Sequence, residues 1–481
     1  MSKDEKSPVI GWFRKELRLA DHKALAAAVE SGAPVLPLYI HDVETKGTVS
    51  PGGASRWWLH ESLKALNASL EELGSGLILR KGRTRDVLAD ILGKTNATAI
   101  HATQSYEPFG TRCEADLDEL CSENDVVFHL HPGRLLFAPG DITTKEGNTY
   151  RVFTPFWKSC LAQPAPPAPS GAPKKIDFAK VKSDPLDSLK LQPSKPDWAG
   201  GIRKAWTPGE KAARDALTEF IDERIGDYDK KRDDLPGTPT SLLSPYLHFG
   251  EISPAQVWHA VNHAIEADSG GIEKGARSFL REIGWREFSY HLLFSFPELP
   301  DKPLRPEFAD FPWRNDKKAL TAWQRGQTGY PVVDAAMRQL WETGWMPNRA
   351  RMVVASFLVK HLLLPWQDGA AWFWDTLVDA DLANNSASWQ WVSGCGADAA
   401  PYFRIFNPIL QGEKFDPEGD YVRTWVPELA DLEADDIHAP WDAPPGVLAA
   451  AGVKLGETYP EPIVDHAAAR ERALKALEST K

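Results

Sequence analysis

A chain of 481 residues, 42% hydrophobic and 25% charged, has room for two or three domains and the make-up of a folded globular protein, which excludes a disordered or low-complexity chain. No run approaches the ~18 uncharged apolar residues that span a bilayer, and MSKDEKSPVI has no apolar stretch behind its lysines, so neither membrane insertion nor export is expected. The net charge of −12 argues only weakly against a nucleic-acid partner, because the local field decides and not the total.

The first 131 residues alternate short apolar runs with helical patterns. Strands are expected at 8–13, 34–41, 77–80, 97–102 and 126–131, with helices at 54–73, 84–93 and 111–124 between them. Asp21 is expected to cap a further helix, DHKALAAAVESG, that closes at Gly32. Such alternation implies a doubly wound, parallel α/β sheet. The turn after the first strand reads FRKELRLAD, not GxGxxG, so an ordinary dinucleotide site is not expected there. Residues 132–199 form a long linker that includes the proline-rich QPAPPAPSGAPKK. From 200 to 481 the pattern is helical, and 15 of the 19 tryptophans lie at 198 or later. The domains expected are therefore 1–131, 132–199 as linker, and 200–481.

Charge is unevenly spread in the helical part. Ten acidic residues between Glu413 and Asp442 face only Lys414 and Arg423, while Met337 to His361 holds Arg338, Arg349, Arg351 and Lys360 against Glu342. A basic face on an acidic protein follows as an expectation. Cys113, Cys121, Cys160 and Cys395 have no metal-ligand spacing, so no metal is expected, and few thiols suit a reducing cytoplasm.

Four segments carry residue sets suited to chemistry. In TPTSLLSPYLHFGEISP, Ser244-Pro245 and Ser253-Pro254 read as helix starts, and hydroxyls beside free N–H groups make an anion cradle. In FLREIGWREFSYHLL, Glu282, Trp285, Arg286 and Ser289 fall on one helical face, a surface for a flat polar ligand. In TGWMPNRARMVV, Gly344 ends one helix and Pro347 starts the next, with Asn348, Arg349 and Met352 in its first turns; Arg351 could bind phosphate or pair with Asp379 or Asp381. Between Trp366 and Trp391, five indoles surround Asp379, Asp381, Asn384 and Asn385, which reads either as a packed core or as a path for electrons.

WFRKELRLAD, TSLLSPYLHFG, GWREF, TGYPVVDAAMRQLWETGWMPNRARM, DADLANNSASWQW and DAAPYFRIFNPILQGEKFD, in this order, resemble the DNA photolyase/cryptochrome family. The resemblance implies an α/β antenna domain, an all-α domain that binds FAD, and light-driven repair of pyrimidine dimers in ultraviolet-damaged DNA. It implies FAD contacts from Tyr228, Thr240, Ser241, Leu242, Leu243, Ser244, Arg351, Asp379, Asp381 and Asn385, the last near flavin N5. Glu282, Trp285, Asn348 and Met352 are implied as the lesion site, and Arg232, Arg286, Arg349 and Arg404 as phosphate contacts. Trp389, Trp366 and Trp313 match the family's relay for reducing the flavin.

Asn385 and Trp285 separate the chain from plant-type photoreceptors, and Met346-Pro347-Asn348, lacking histidine, separates it from photolyases of the (6-4) photoproduct. FLREIGWREFS is similar to plant cryptochromes, which together with those residues points to a bacterial class III cyclobutane pyrimidine dimer photolyase; a blue-light photoreceptor and a (6-4) photolyase are the alternatives. SYEPFGTR resembles a folate-contacting loop, implying 5,10-methenyltetrahydrofolate as antenna with Glu107 on the pterin, and a deazaflavin as the alternative. A monomer without protein partners, cytoplasmic and with access to the nucleoid, is expected.

Overall fold

The computed structural model describes residues 6–399 and 403–480; the MSKDE start, Lys481 and Ala400–Tyr402 of the last family motif lie outside them. Contacts divide the chain into two compact units, one of Met1–Ala199, Trp206–Gly226 and Ser241–Pro297, the other of Gly200–Ala205, Asp227–Thr240 and Glu298–Lys481. These units do not follow a cut at residue 200, because helices on both sides of it pack with the sheet-bearing part.

The first unit is built on five parallel strands, β1 (Val9–Phe13), β2 (Val35–His41), β3 (Ile78–Lys81), β4 (Ala99–Thr103) and β5 (Val127–His131), in the order β3-β2-β1-β4-β5. VIGWF and VLPLYIH are buried along their whole length, the mark of strands covered on both faces. The crossovers are α1 (Lys23–Glu30), α2 (Gly53–Glu72), α3 (Thr84–Thr95) and α4 (Pro108–Glu123). Leu88, Ile91 and Leu92 of α3 and Leu117, Leu120 and Cys121 of α4 close one face of the sheet. This is the doubly wound α/β architecture that the alternation implied.

Two local expectations change. The cap of α1 is His22, whose Nδ1 accepts from Leu25 N at 3.1 Å; Asp21 is left-handed at φ 51° and accepts from Ser253 Oγ at 2.6 Å. A left-handed residue cannot take the extended cap conformation, so the next side chain assumes the role. The linker is also not irregular throughout: residues 163–175 are, but α5 (Phe153–Leu161) precedes them and Phe178 bridges to Val35.

The same unit holds the helices Glu210–Glu223, Ser244–Phe249, Pro254–Ala267 and Glu273–Ser295. Ser253 forms the expected cap, a full capping box with Gln256. Ser244 does not: it lies inside its helix, and Leu243 is the cap.

The second unit is helical, and its helices include Pro331–Thr343, Asn348–Ser356, Trp366–Thr376 and Leu382–Ser393. Gly344, at φ 70°, ends the first of these and Pro347 opens the second, as expected. A π-helical turn, Phe357–His361, follows directly. The core gathers Trp323, Phe357, Trp366 and Trp389, none more than 2% exposed. Among the described residues no helix is long and apolar enough to cross a membrane.

Candidate active site

Three short helical starts in the second unit assemble a polar group inside an apolar core. Arg351, in the first turns of Asn348–Ser356, forks onto Asp379 with N–O distances of 3.1 and 2.8 Å, and the Asp379 side chain is only 2% exposed. A buried carboxylate demands such a partner, and the bidentate geometry fixes both planes. Asp381 caps Leu382–Ser393, accepting from Asn384 N at 3.0 Å and Asn384 Nδ2 at 2.7 Å. Asn385 donates Nδ2 to Ala370 O at 3.0 Å, which leaves Oδ1 as the end of the amide available to a ligand. The expected grouping of Arg351, Asp379, Asp381 and Asn385 in one unit is therefore present.

The loop expected to hold phosphates has the backbone for it. Leu242 is left-handed at φ 55° and Leu243 right-handed at φ −83°, a succession that turns consecutive N–H groups to one side. Leu243 N reaches Ser241 Oγ at 3.4 Å, and Ser244 is exposed at the helix start. Among the described residues Thr240 Oγ1 is buried without a hydrogen-bond partner, a demand that a bound phosphate would meet. Tyr228 is buried at 6%, its ring 5.6 Å from the Arg232 guanidinium.

On Glu273–Ser295 the predicted face divides in two. Glu282 and Trp285 are half-buried, with Trp285 stacked on Phe153 at 3.8 Å. Ser289 turns back to Trp285 O, and Arg286 is buried: it donates to Arg134 O at 3.1 Å, pairs with Glu287 at 3.3 Å and lies 5.0 Å from the Tyr290 ring. Arg286 is thus buried and held by partners within its own unit. Its partner Glu287 is fully buried, and burial pushes that carboxyl up to about 7 against the pull of Arg286 and the N–H groups of Phe137 and Leu136.

Asn348 is exposed and shares a face with Met352, Nδ2 to Sδ 3.7 Å, so these two expected lesion contacts do meet. The basic face does not form from its four cations. Arg338 forks onto Glu428 at 2.9 and 2.7 Å, Arg349 pairs with Asp233 at 2.6 Å, Arg351 is held by Asp379, and Lys360 is buried. Arg349 is accordingly a paired cation at 16% side-chain exposure, while Arg232 is half-buried 4.0 Å from Asp233 and Arg404 is exposed.

Trp389 and Trp366 are each 2% exposed and Trp313 packs half-buried against the same core. Trp389 meets the rings of Phe373 at 5.0 Å and Trp323 at 6.3 Å, and among the described residues its Nε1 is buried without a partner. Trp313 contacts Phe311 at 4.4 Å. Trp372 stacks on exposed Trp341 at 5.8 Å.

Residues 9–174 match the family described as DNA photolyase, and residues 279–479 match the FAD binding domain of DNA photolyase. The chain is 52% identical over 479 residues to the deoxyribodipyrimidine photo-lyase of Agrobacterium fabrum, covering 99% of this chain and 98% of that protein. The chain belongs to the DNA photolyase family. A crystal structure of a bacterial class III photolyase from Agrobacterium tumefaciens superposes with a TM-score of 0.95 at 50% identity, covering 100% of this chain and 99% of that one. Cryptochrome-2 of Arabidopsis thaliana is 42% identical over all of this chain and 80% of its own length.

For a photolyase, two groups of residues were not read from the sequence. Phe153, which stacks on Trp285, lies in the stretch taken as linker, although Phe153, Phe156, Trp157 and Cys160 have helical spacing and are all buried. Trp323 was not singled out because nothing local marks its contact with Trp389, 66 positions along the chain. Glu107 lies where SYEPFGTR put it, at the start of α4, with Lys15 Nζ 2.5 and 2.7 Å from its two oxygens and Tyr290 OH at 3.4 Å.

Proposed function

We propose that the chain is a light-dependent deoxyribodipyrimidine photo-lyase that splits cyclobutane pyrimidine dimers in ultraviolet-damaged DNA, with residues 1–131 as antenna domain and 200–481 as flavin domain. The observation that carries the reading is the 52% identity to a deoxyribodipyrimidine photo-lyase over 99% of the chain. The local geometry agrees with a flavin adenine dinucleotide. The 242–243 backbone and the unpartnered Thr240 hydroxyl suit its phosphates, with Ser241, Ser244 and Tyr228 beside them in sequence. The Arg351–Asp379 pair, Asp381 and Asn385 Oδ1 suit the polar edge of its ring. When bound, reduced FAD would supply light-driven single-electron transfer to the dimer.

The chain's own residues bind and orient. Enzymes that act on a base take it out of the stack, photolyases among them. Trp285 offers an indole plane to the extruded bases, Glu282 hydrogen-bonds their edges, and Asn348 and Met352 line the lesion site. Trp389, Trp366 and Trp313 pass electrons inward to restore the reduced flavin. Arg404 and Arg232 contact backbone phosphates, which positions the duplex without reading its sequence.

The antenna is read as 5,10-methenyltetrahydrofolate, with a deazaflavin the alternative. Glu107, already neutralised by Lys15, contributes to it only as a paired carboxylate. A separate near-ultraviolet or blue absorption band in the purified protein distinguishes the two. The protein is further read as a cytoplasmic monomer.

The 42% identity to a plant cryptochrome favours a second reading, a photoreceptor that signals through flavin redox state. Illumination of the reduced protein with dimer-containing oligonucleotide separates the two. Light-dependent loss of dimers is expected, and its absence sinks the repair reading. Trp389→Phe should block photoreduction yet leave repair intact in chemically reduced protein; loss of repair there would make Trp389 structural.

A further inference from the structure

We propose that Phe153 is a positioning residue for Trp285, holding the indole in the plane that receives the extruded base. The inference rests on the reading of Trp285 as the stacking platform. Phe153 is 1% exposed at the start of α5, and its ring lies 3.8 Å from Trp285 with the planes 7° apart. Aromatic pairs ordinarily settle at about 4.5–7 Å, offset or edge-on, so this near-eclipsed overlap is imposed by its surroundings. Gly284 imposes it: a Cβ there would stand 2.6 Å from Trp157 Cε3, so only glycine lets α5 approach the Glu273–Ser295 helix so closely.

Trp157 lies 6.4 Å from Phe153 with planes 13° apart, displaced sideways along α5, so Phe153 and Trp285 are the pair that stack face to face. Phe288 closes the side edge-on, 6.0 Å from Phe153 and 5.9 Å from Trp285. Trp285 is the half-buried member of this pair, and a base stacked upon its other face becomes the next plane. With one face covered and its edge blocked, the indole does not reorganise on binding, which lowers the ordering cost of capture.

The test compares dark affinities of the FAD-bound protein for a dimer-containing and an undamaged oligonucleotide. Phe153→Leu keeps apolar volume but removes the flat face. It should reduce the damaged-to-undamaged ratio by roughly three- to tenfold, leaving affinity for undamaged DNA and the rate of flavin photoreduction unchanged. In a Trp285→Ala background the same substitution should have no further effect on the ratio, because the two act as one unit. Phe153→Met, a flexible filler, is read the same way should the leucine variant fail to retain flavin. An unchanged ratio in the single variants, or an equal loss with Trp285 already removed, overturns the inference. An unchanged ratio in Trp285→Ala itself removes instead the platform reading beneath it.

Discussion

Carboxylates distant in sequence have claimed most of the cations that a duplex was expected to meet. Glu428, in the acidic segment, forks onto Arg338, and Asp233 reaches Arg349 across 116 positions. Burial pushes the Lys360 ammonium well below its ordinary range, and its Nζ donates to Ser393 O at 2.8 Å over the Phe403 ring. Such a group ends a helix and does not recruit phosphate. Arg404 is exposed, whereas the Arg338 pair is part-buried. Each phosphate contact adds about 0.9 to the slope of log affinity against log salt. Arg404→Ala should make that slope shallower by about one unit. Arg338→Gln combined with Glu428→Gln, which removes the pair at constant net charge, should leave the slope unaltered. Salt titrations of DNA binding by the three proteins decide it, and an equal change in both variants would show that the Arg338 pair opens on DNA.

Helix contacts in the second unit depend on a residue that helices ordinarily avoid. Glycine costs a helix about 1 kcal/mol relative to alanine, yet Gly369 sits inside Trp366–Thr376. A Cβ there would overlap the Trp389 ring and stand 2.6 Å from Leu358 Cδ2. Asn385 holds the next residue through Ala370 O, so the approach that seats Trp389 also sets the polar pocket. Gly369→Ala should gain helix propensity but lose about 1–3 kcal/mol to overpacking, lowering the thermal midpoint and slowing photoreduction. A raised midpoint with unchanged photoreduction would refute the close-packing argument. Such contacts explain which elements were legible in the sequence. All five strands were, to within two residues: β1 and β2, buried along their whole length, are continuous apolar runs, and the others are short apolar runs bounded by turns. The Ser253 capping box and the Gly344 stop were legible because both are local. The cap of α1 was misassigned because nothing local forces Asp21 into a left-handed turn. Helix α5 is hidden in the sequence by the proline-rich stretch that follows it, and the pairings of Arg286, Arg338 and Arg349 depend on partners that no local pattern names.

Burial, more than pairing, sets the acid–base balance of the whole chain. Desolvation lowers His22 and His361 to about 3 and His101 and His291 to about 4. It raises Glu251 to about 8, Glu287 to about 7 and Asp334 to about 6. The signs oppose. An unfolded histidine takes up its proton near 6.5, while the folded ones refuse it down to 4 or 3, so their stability holds above pH 6.5 and is lost as pH falls. The unfolded carboxyls release theirs near 4.5 or 3.8, while the folded ones keep them to between 6 and 8, so their stability is full in acid and is lost as pH rises. Each group contributes up to about 1.4 kcal/mol per pH unit inside its window. Between pH 4.5 and 6 four histidines act against three carboxyls and nearly cancel. Above 6.5 Glu251 and Glu287 are opposed by buried Lys360, whose lowered ammonium makes stability rise with pH, and below about 4.5 only Asp334 still opposes the histidines. The thermal midpoint of the FAD-bound protein should therefore change little between pH 6.5 and 8 and fall steeply below 4.5. His101→Phe tests the assignment, since His101 stacks between His129 at 4.7 Å and His131 at 5.3 Å and bonds the latter at 3.1 Å. Its removal should make the acid limb shallower by one proton without moving the alkaline one. An acid limb unchanged in that variant would mean that burial is not what governs these groups.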